Sequence, residues 1–356
     1  MKKKVLVVDD SAFMRKVISD IINSNDNFEV AGIARNGKDA LDLIPKLNPD
    51  IITLDIEMPI MDGITCLKKI VELYDIPVIM CSSLTKEGAY QTITTLEIGA
   101  FDFITKPGIV GFEKTNIKED LISKLLAASA SVNSSKRKYE TNIVSKIKEV
   151  KITHNFTNIS KKDSKINKIV AIGISTGGPK ALHEIIPQIP KNIPAPILIV
   201  QHMPKGFIKP MAERLDSTSQ IRVKEAQTGD ILENGVCYIA PGDEHMEIEY
   251  VTGKARIKLT DDEKVSGHRP SANVMFKSLS ELPFEVIGVI MTGMGSDGTD
   301  GLKILKSKKK DSKIIAQDEA TSVVFGMPKA AINSGVVDIV VPIYNIIKEI
   351  CKCLEK

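Results

Sequence analysis

The run Lys168-Ile169-Val170-Ala171-Ile172-Gly173-Ile174-Ser175-Thr176-Gly177-Gly178-Pro179 decides how this chain folds. Residues 169–174 are a short, unbroken apolar run, as expected of a strand buried on both faces. A glycine-rich turn ends it, and a helical pattern follows over 178–186. Strand, tight turn and helix make the repeating unit of a parallel α/β sheet.

The alternation continues downstream. Strands are expected at 169–174, 196–201, 236–240, 285–292, 313–317 and 337–341, with helices at 178–186, 207–216, 270–281, 299–307, 328–334 and 343–354. Glu247–Tyr250 and Ala255–Leu259 flank Val251-Thr252-Gly253-Lys254, a hairpin signal. Upstream the same rhythm is present. Strand-like runs at Val5–Val8, Phe28–Ile33, Ile51–Leu54, Val78–Cys81 and Phe101–Thr105 alternate with helical stretches at 12–23, 37–47, 63–73, 86–98 and about 116–130. The fold class is α/β throughout: an N-terminal (βα)5 domain, then a doubly wound, mainly parallel α/β domain with a β-hairpin.

A length of 356 residues suits two domains. No apolar run is long enough to span a bilayer, and the short run after Met1-Lys2-Lys3-Lys4 ends in Asp9-Asp10, which argues against a signal peptide. No membrane insertion and a cytoplasmic location are therefore expected. Five scattered cysteines argue against a disulfide framework, and no CxxC suggests zinc. The net charge of +3 is unevenly spread. Residues 1–130 carry 15 basic and 19 acidic side chains, residues 131–168 carry 10 and 3, and residues 169–356 carry 23 of each. The basic stretch reads as a solvated linker, although such a stretch can also bind anionic surfaces. The neutral second domain shows no basic helix-turn-helix, so nucleic acid is not an expected partner.

In parallel sheets ligands bind beyond the carboxyl ends of the strands. In the first domain those ends carry Asp9-Asp10, Asp55, Ser82-Ser83 and Lys106-Pro107. A single strand-end Asp is usually only solvated. Three carboxylates at one edge instead call for a cation, and hard oxygen ligands suit Mg²⁺. Lys106 and the Ser82 hydroxyl could receive an anion, and Asp55 could accept a phosphoryl group. Residues 1–125 resemble response-regulator receiver domains: they share the acidic pair, Asp55 followed by Met58-Pro59-Ile60-Met61-Asp62-Gly63, Ser82 in the Ser/Thr position, and Lys106-Pro107. The resemblance implies phosphorylation of Asp55 by a histidine kinase, with Mg²⁺ at Asp9, Asp10 and Asp55. It also makes Ser82, Phe103 and Lys106 the switch residues.

In the second domain Gly173-x-Ser175-x-Gly177 fits a nucleophile elbow. It also fits a phosphate-cradling loop or a plain turn. A serine nucleophile needs a base. Of the five histidines His154 is in the linker, His183 on a helix, His245 before the hairpin and His268 in a loop. His202 ends a strand at the same sheet edge as Ser175, and so does Asp297 in Gly293-Met294-Gly295-Ser296-Asp297-Gly298. That hexapeptide also fits the dinucleotide fingerprint, with Asp318 placed 20 residues beyond Gly298. A nucleotide-dependent oxidoreductase therefore stays open as the alternative. It would leave Ser175 and His202 without a role.

These pieces, with Gln-His-Met-Pro around His202 and Ala-Pro-Gly-Asp-x-His-Met at 240–246, resemble the catalytic domain of the chemotaxis protein-glutamate methylesterases (CheB). The resemblance divides the chain into a receiver at 1–125, a basic polar linker at 126–166 and a catalytic domain at 167–356. It implies a phosphorylation-activated hydrolase that demethylates glutamate methyl esters and deamidates glutamines on bacterial chemoreceptors. Ser175, His202 and Asp297 would be catalytic. The backbone N–H groups of Thr176 and Met294 would form the oxyanion hole. No cofactor is expected in that domain.

Overall fold

Each apolar run of the N-terminal unit becomes a strand, and each of its first four helices opens on a polar cap. The computed structural model describes residues 2–106, 117–138 and 165–355. The order is β1 (Lys3–Val8), α1 (Ala12–Asn23), β2 (Phe28–Ala34), α2 (Gly37–Leu47), β3 (Ile51–Asp55), α3 (Gly63–Leu73), β4 (Val78–Ser82), α4 (Lys86–Ile98), β5 (Asp102–Thr105) and α5 (Ile117–Lys138). Ser11, Asn36, Asp62 and Thr85 each accept a backbone N–H from the first turn of α1 to α4. Such caps stabilise by about 1 kcal/mol apiece and fix where each loop turns into helix. The strands pair in parallel in the order β2-β1-β3-β4-β5. The winding direction reverses between β1 and β3, so a crevice opens at their carboxyl ends. Val5, Val7, Ile18, Phe28, Ile51 and Leu125 are among the buried core residues.

The C-terminal unit runs β6 (Lys168–Ile174), α6 (Gly178–Ile185), β7 (Ile197–Gln201), α7 (Ile208–Thr218), β8 (Arg222–Glu225), β9 (Val236–Ile239), β10 (His245–Val251), β11 (Lys254–Thr260), α8 (Ala272–Leu279), β12 (Glu285–Ile290), α9 (Thr299–Lys308), β13 (Lys313–Gln317), α10 (Met327–Asn333), β14 (Ile339–Val341) and α11 (Ile346–Glu355). Seven parallel strands are ordered β14-β13-β12-β6-β7-β9-β8, and β10-β11 form a separate antiparallel hairpin. The switch point here lies between β6 and β12. Phe276 of α8 packs in one cluster with Ala171, Ile290 and Leu302, which seats α8 beside those two strands.

Two expectations change. Sequence reading omits β8, because Arg-Val-Lys-Glu buries only Val223. It is an edge strand, where charged side chains block further pairing and mask the apolar signal. The helix expected to end near 130 continues as α5 to Lys138, so the first part of the expected 126–166 linker is helical. Extending a nucleated helix costs little per residue, even through a Ser- and Lys-rich sequence. Residues 139–164, with His154, lie outside the described residues. The five cysteines are all buried. Among the described residues no helix is long and apolar enough to cross a membrane.

Candidate active site

Ser175 follows β6 and Asp297 follows β12, the strands that flank the switch point, and His202 follows β7, next to β6. Their side chains meet there. His202 Nδ1 is 3.0 Å from Ser175 Oγ, and His202 Nε2 is 2.8 Å from Asp297 Oδ2. With Asp297 ionised, Nε2 carries the ring proton and donates it to the carboxylate. Nδ1 is then the free acceptor facing the serine hydroxyl.

The local sequence explains how the half-buried Ser175 is held at this edge. Its N–H donates to Thr292 O at 3.0 Å, and its carbonyl accepts from Gly178 N at 2.7 Å, closing a four-residue turn. Gly177 takes φ +76°, the left-handed value of a type II turn, and a Cβ there would lie 2.6 Å from Val323 Cβ. Gln201 Nε2 donates to the carbonyls of Ser175 and His202, each at 3.1 Å, tying the two loops together. Gly293 closes the other side: a Cβ there would lie 2.8 Å from Ser175 Cβ. Thr176 is the second residue of the turn, and Met294 is exposed next to Gly293.

Asp297 is buried, yet its carboxylate is fully engaged. Ser271 Oγ donates to Oδ1 at 2.6 Å, Ala272 N to Oδ2 at 2.7 Å and Asn273 N to Oδ1 at 3.2 Å. It therefore sits on the N-terminus of α8, where free N–H groups favour negative charge. Burial pushes its pKa up, but the hydrogen bond and charge of His202, with the bonds from Ser271 and Ala272, outweigh this and bring it down to about 2.

The dinucleotide reading loses its residues to other tasks. Asp297 binds His202 and α8, and the Asp318 carboxylate accepts from Thr321 N and Oγ1 at 2.9 and 2.6 Å. Sequence reasoning also missed several groups. Ser271, which the expected helix at 270–281 takes in without distinction, caps α8, and its bond to Asp297 depends on a loop distant in sequence. His245, buried, donates from Nε2 to Glu263 O at 3.0 Å and accepts Ser271 N–H on Nδ1 at 3.2 Å. His268 stacks on His202.

A second constellation occupies the crevice of the N-terminal unit. Carboxylate oxygens of Asp9, Asp10 and Asp55 lie within 4.8 Å of one another, Asp9 and Asp55 buried and Asp10 exposed. Lys106 Nζ bridges Asp9 Oδ2 at 2.8 Å and Asp55 Oδ1 at 2.7 Å. Burial pushes the Asp55 pKa up; Lys106 opposes it and the Asp9 charge adds to it, giving about 6. Three carboxylates against one ammonium leave excess negative charge among hard oxygen donors, and this donor set fits a divalent cation. The buried Ser82 hydroxyl is turned to α4: it accepts from Thr92 Oγ1 at 2.6 Å and donates to Gly88 O at 3.2 Å. Phe103 is buried, with Lys124 Nζ 5.1 Å from its ring centroid. Pro107 lies outside the described residues.

Comparison with known proteins finds relatives for both units of the chain. Residues 170–350 match the family model of the CheB methylesterase, and residues 5–115 match that of the response regulator receiver domain. The protein-glutamate methylesterase/protein-glutamine glutaminase 1 of Syntrophomonas wolfei is 45% identical over 99% of this chain and 99% of its own length. The corresponding Bacillus subtilis protein is also 45% identical, again over 99% of each. The crystal structure of the Thermotoga maritima CheB methylesterase catalytic domain is 46% identical, covers 53% of this chain and 99% of its own, and superposes with a TM-score of 0.51. Matched over nearly its whole length by such relatives, the chain belongs to the CheB methylesterase family and carries a receiver domain ahead of the catalytic domain.

Proposed function

We propose that this chain hydrolyses glutamate methyl esters and glutamine side chains of methylated chemoreceptors, and that phosphorylation of its receiver by a histidine kinase activates it. The hydrogen-bonded chain Ser175–His202–Asp297 at the switch point carries this reading. Ser175 Oγ attacks the side-chain carbonyl carbon while its proton passes to His202 Nδ1. The oxyanion forms beside the backbone N–H groups of Thr176 and Met294, and one such donor is worth roughly 10²–10³ in kcat. Nδ1–H protonates the departing methoxide or amide, which leaves as methanol or ammonia. Water then gives a proton to Nδ1 and attacks the acyl carbon. Ser175 regains the proton, and a glutamate side chain is released. Asp297 stays ionised throughout and stabilises the imidazolium, consistent with its depressed pKa.

In the receiver Asp55 is the proposed phosphoryl acceptor. Asp9, Asp10 and Asp55 would hold Mg²⁺, which would supply positive charge to the transferred phosphoryl oxygens, and Lys106, now paired with Asp9 and Asp55, would pair with them. Ser82 and Phe103 would report the change, since the Ser82 hydroxyl must leave Gly88 to reach a phosphoryl oxygen. The role implies a cytoplasmic location. The test is methanol and ammonia release from methylated receptor. Ser175→Ala is expected to abolish both, and retention of either product at the wild-type rate would refute the reading.

A further inference from the structure

We propose that His268 is a positioning residue of the hydrolytic site, its ring stacked on His202 so as to hold that imidazole in the plane joining Ser175 to Asp297. The inference rests on the serine-hydrolase reading above. The two rings lie 4.0 Å apart between centroids and only 7° from parallel. Hydrogen bonds at Nδ1 and Nε2 fix the two edges of the His202 ring. They resist tilting out of plane only weakly, and a flat aromatic wall supplies that restraint.

The wall is itself built. Val265 and His268 exchange backbone hydrogen bonds at 3.1 and 3.0 Å around Ser266 and Gly267, whose φ values are +54° and +82°. Two successive left-handed residues make a tight type I′ turn. Arg269 fastens the next residue: Nε and Nη2 donate to Asp243 Oδ1 at 3.1 and 2.9 Å, and Nη1 donates to Asp262 O at 2.9 Å and to Asp261 O. His245 clamps the same segment at Glu263 and Ser271. A loop so secured presents one side chain, His268, to the ring that moves the proton.

The wall must also carry no charge, because His202 becomes cationic during turnover. The charged or titratable groups acting on His268 are His202, Asp297 and Lys264. Burial pushes the His268 pKa down, His202 pushes the same way, and Lys264 adds to both against the opposing Asp297, giving about 4. His268 is therefore neutral at neutral pH and does not repel the imidazolium.

The test uses the full chain with methylated receptor and compares His268→Ala, His268→Phe and His268→Arg, each with its melting temperature measured. His268→Ala removes the wall and is expected to lower kcat roughly 10- to 100-fold with KM within about twofold, as loss of orientation does. His268→Phe restores a flat neutral ring and is expected to recover most of that loss. His268→Arg stacks but carries a fixed charge, and its kcat should fall well below that of His268→Phe. The proposal is overturned if folded His268→Ala keeps wild-type kcat. It is also overturned if His268→Phe is no better than His268→Ala, or if His268→Arg equals His268→Phe. Ser175→Ala runs in parallel: its inactivity beside an unaffected His268→Ala would remove this inference alone, whereas an active Ser175→Ala would remove the serine-hydrolase reading beneath it.

Discussion

His202 offers Nδ1 to Ser175 and Nε2 to Asp297, so the state of one carboxylate decides whether the serine faces an acceptor or a donor. Asp297→Asn inverts that arrangement. An amide NH₂ facing Nε2 moves the ring proton to Nδ1, and kcat is expected to fall about 10⁴-fold, measured as methanol release, with KM little changed. The carboxylate also links stability to pH. Its folded pKa of about 2 lies below its ordinary value of 3.8, so its contribution is present above about pH 4 and lost as pH falls through 2. That contribution is about 2 kcal/mol. Urea unfolding from pH 5 to pH 2 should show the stability gap between wild type and Asp297→Asn narrowing by that amount. At this scale Ser175, His202 and Asp297 could be read in the sequence, because each follows an apolar strand. Which ring nitrogen faces which partner could not, because it depends on the angle at which three separate loops meet. Nor could the stacking of His268, which sequence separates from His202 by the whole β10-β11 hairpin.

Helix α8 binds the C-terminal site together. Its N-terminal N–H groups and its cap, Ser271, hold Asp297, while Phe276 on its buried face packs with the core of β6 and β12. Ser271→Ala removes both the cap and the 2.6 Å bond to Asp297. The expected result is a loss of about 1–2 kcal/mol in stability together with reduced kcat, read by denaturation and by methanol release. Residues 270–281 read as helical in the sequence, which puts Ser271 inside the helix rather than at its cap, and nothing local says that it would hold a carboxylate 26 residues away. The strands were legible where both faces are buried. The exception is β8, where charge at the sheet edge hides the pattern.

Across the whole chain, two parallel sheets each put their chemistry at a switch point: carboxylates and a lysine between β1 and β3, and a serine, a histidine and an aspartate around β6 and β12. The net charge of +3 conceals this division, because the excess lies in residues 131–168. Residues 131–138 of that stretch belong to α5. Two-domain organisation was legible because each half repeats the strand-turn-helix rhythm. The extent of α5 was not, because polar residues suit a solvated helix as well as a loop. The proposed function joins the two sites: a phosphoryl group on Asp55 is expected to raise the rate at which Ser175 cleaves the ester. The decisive measurement is methanol release from methylated receptor, with and without a small phosphodonor, by wild type, Asp55→Asn and Ser175→Ala. Wild type should be stimulated, Asp55→Asn should keep only its basal rate in both conditions, and Ser175→Ala should release no methanol in either. Stimulation of Asp55→Asn equal to wild type, or methanol release by Ser175→Ala, would contradict it.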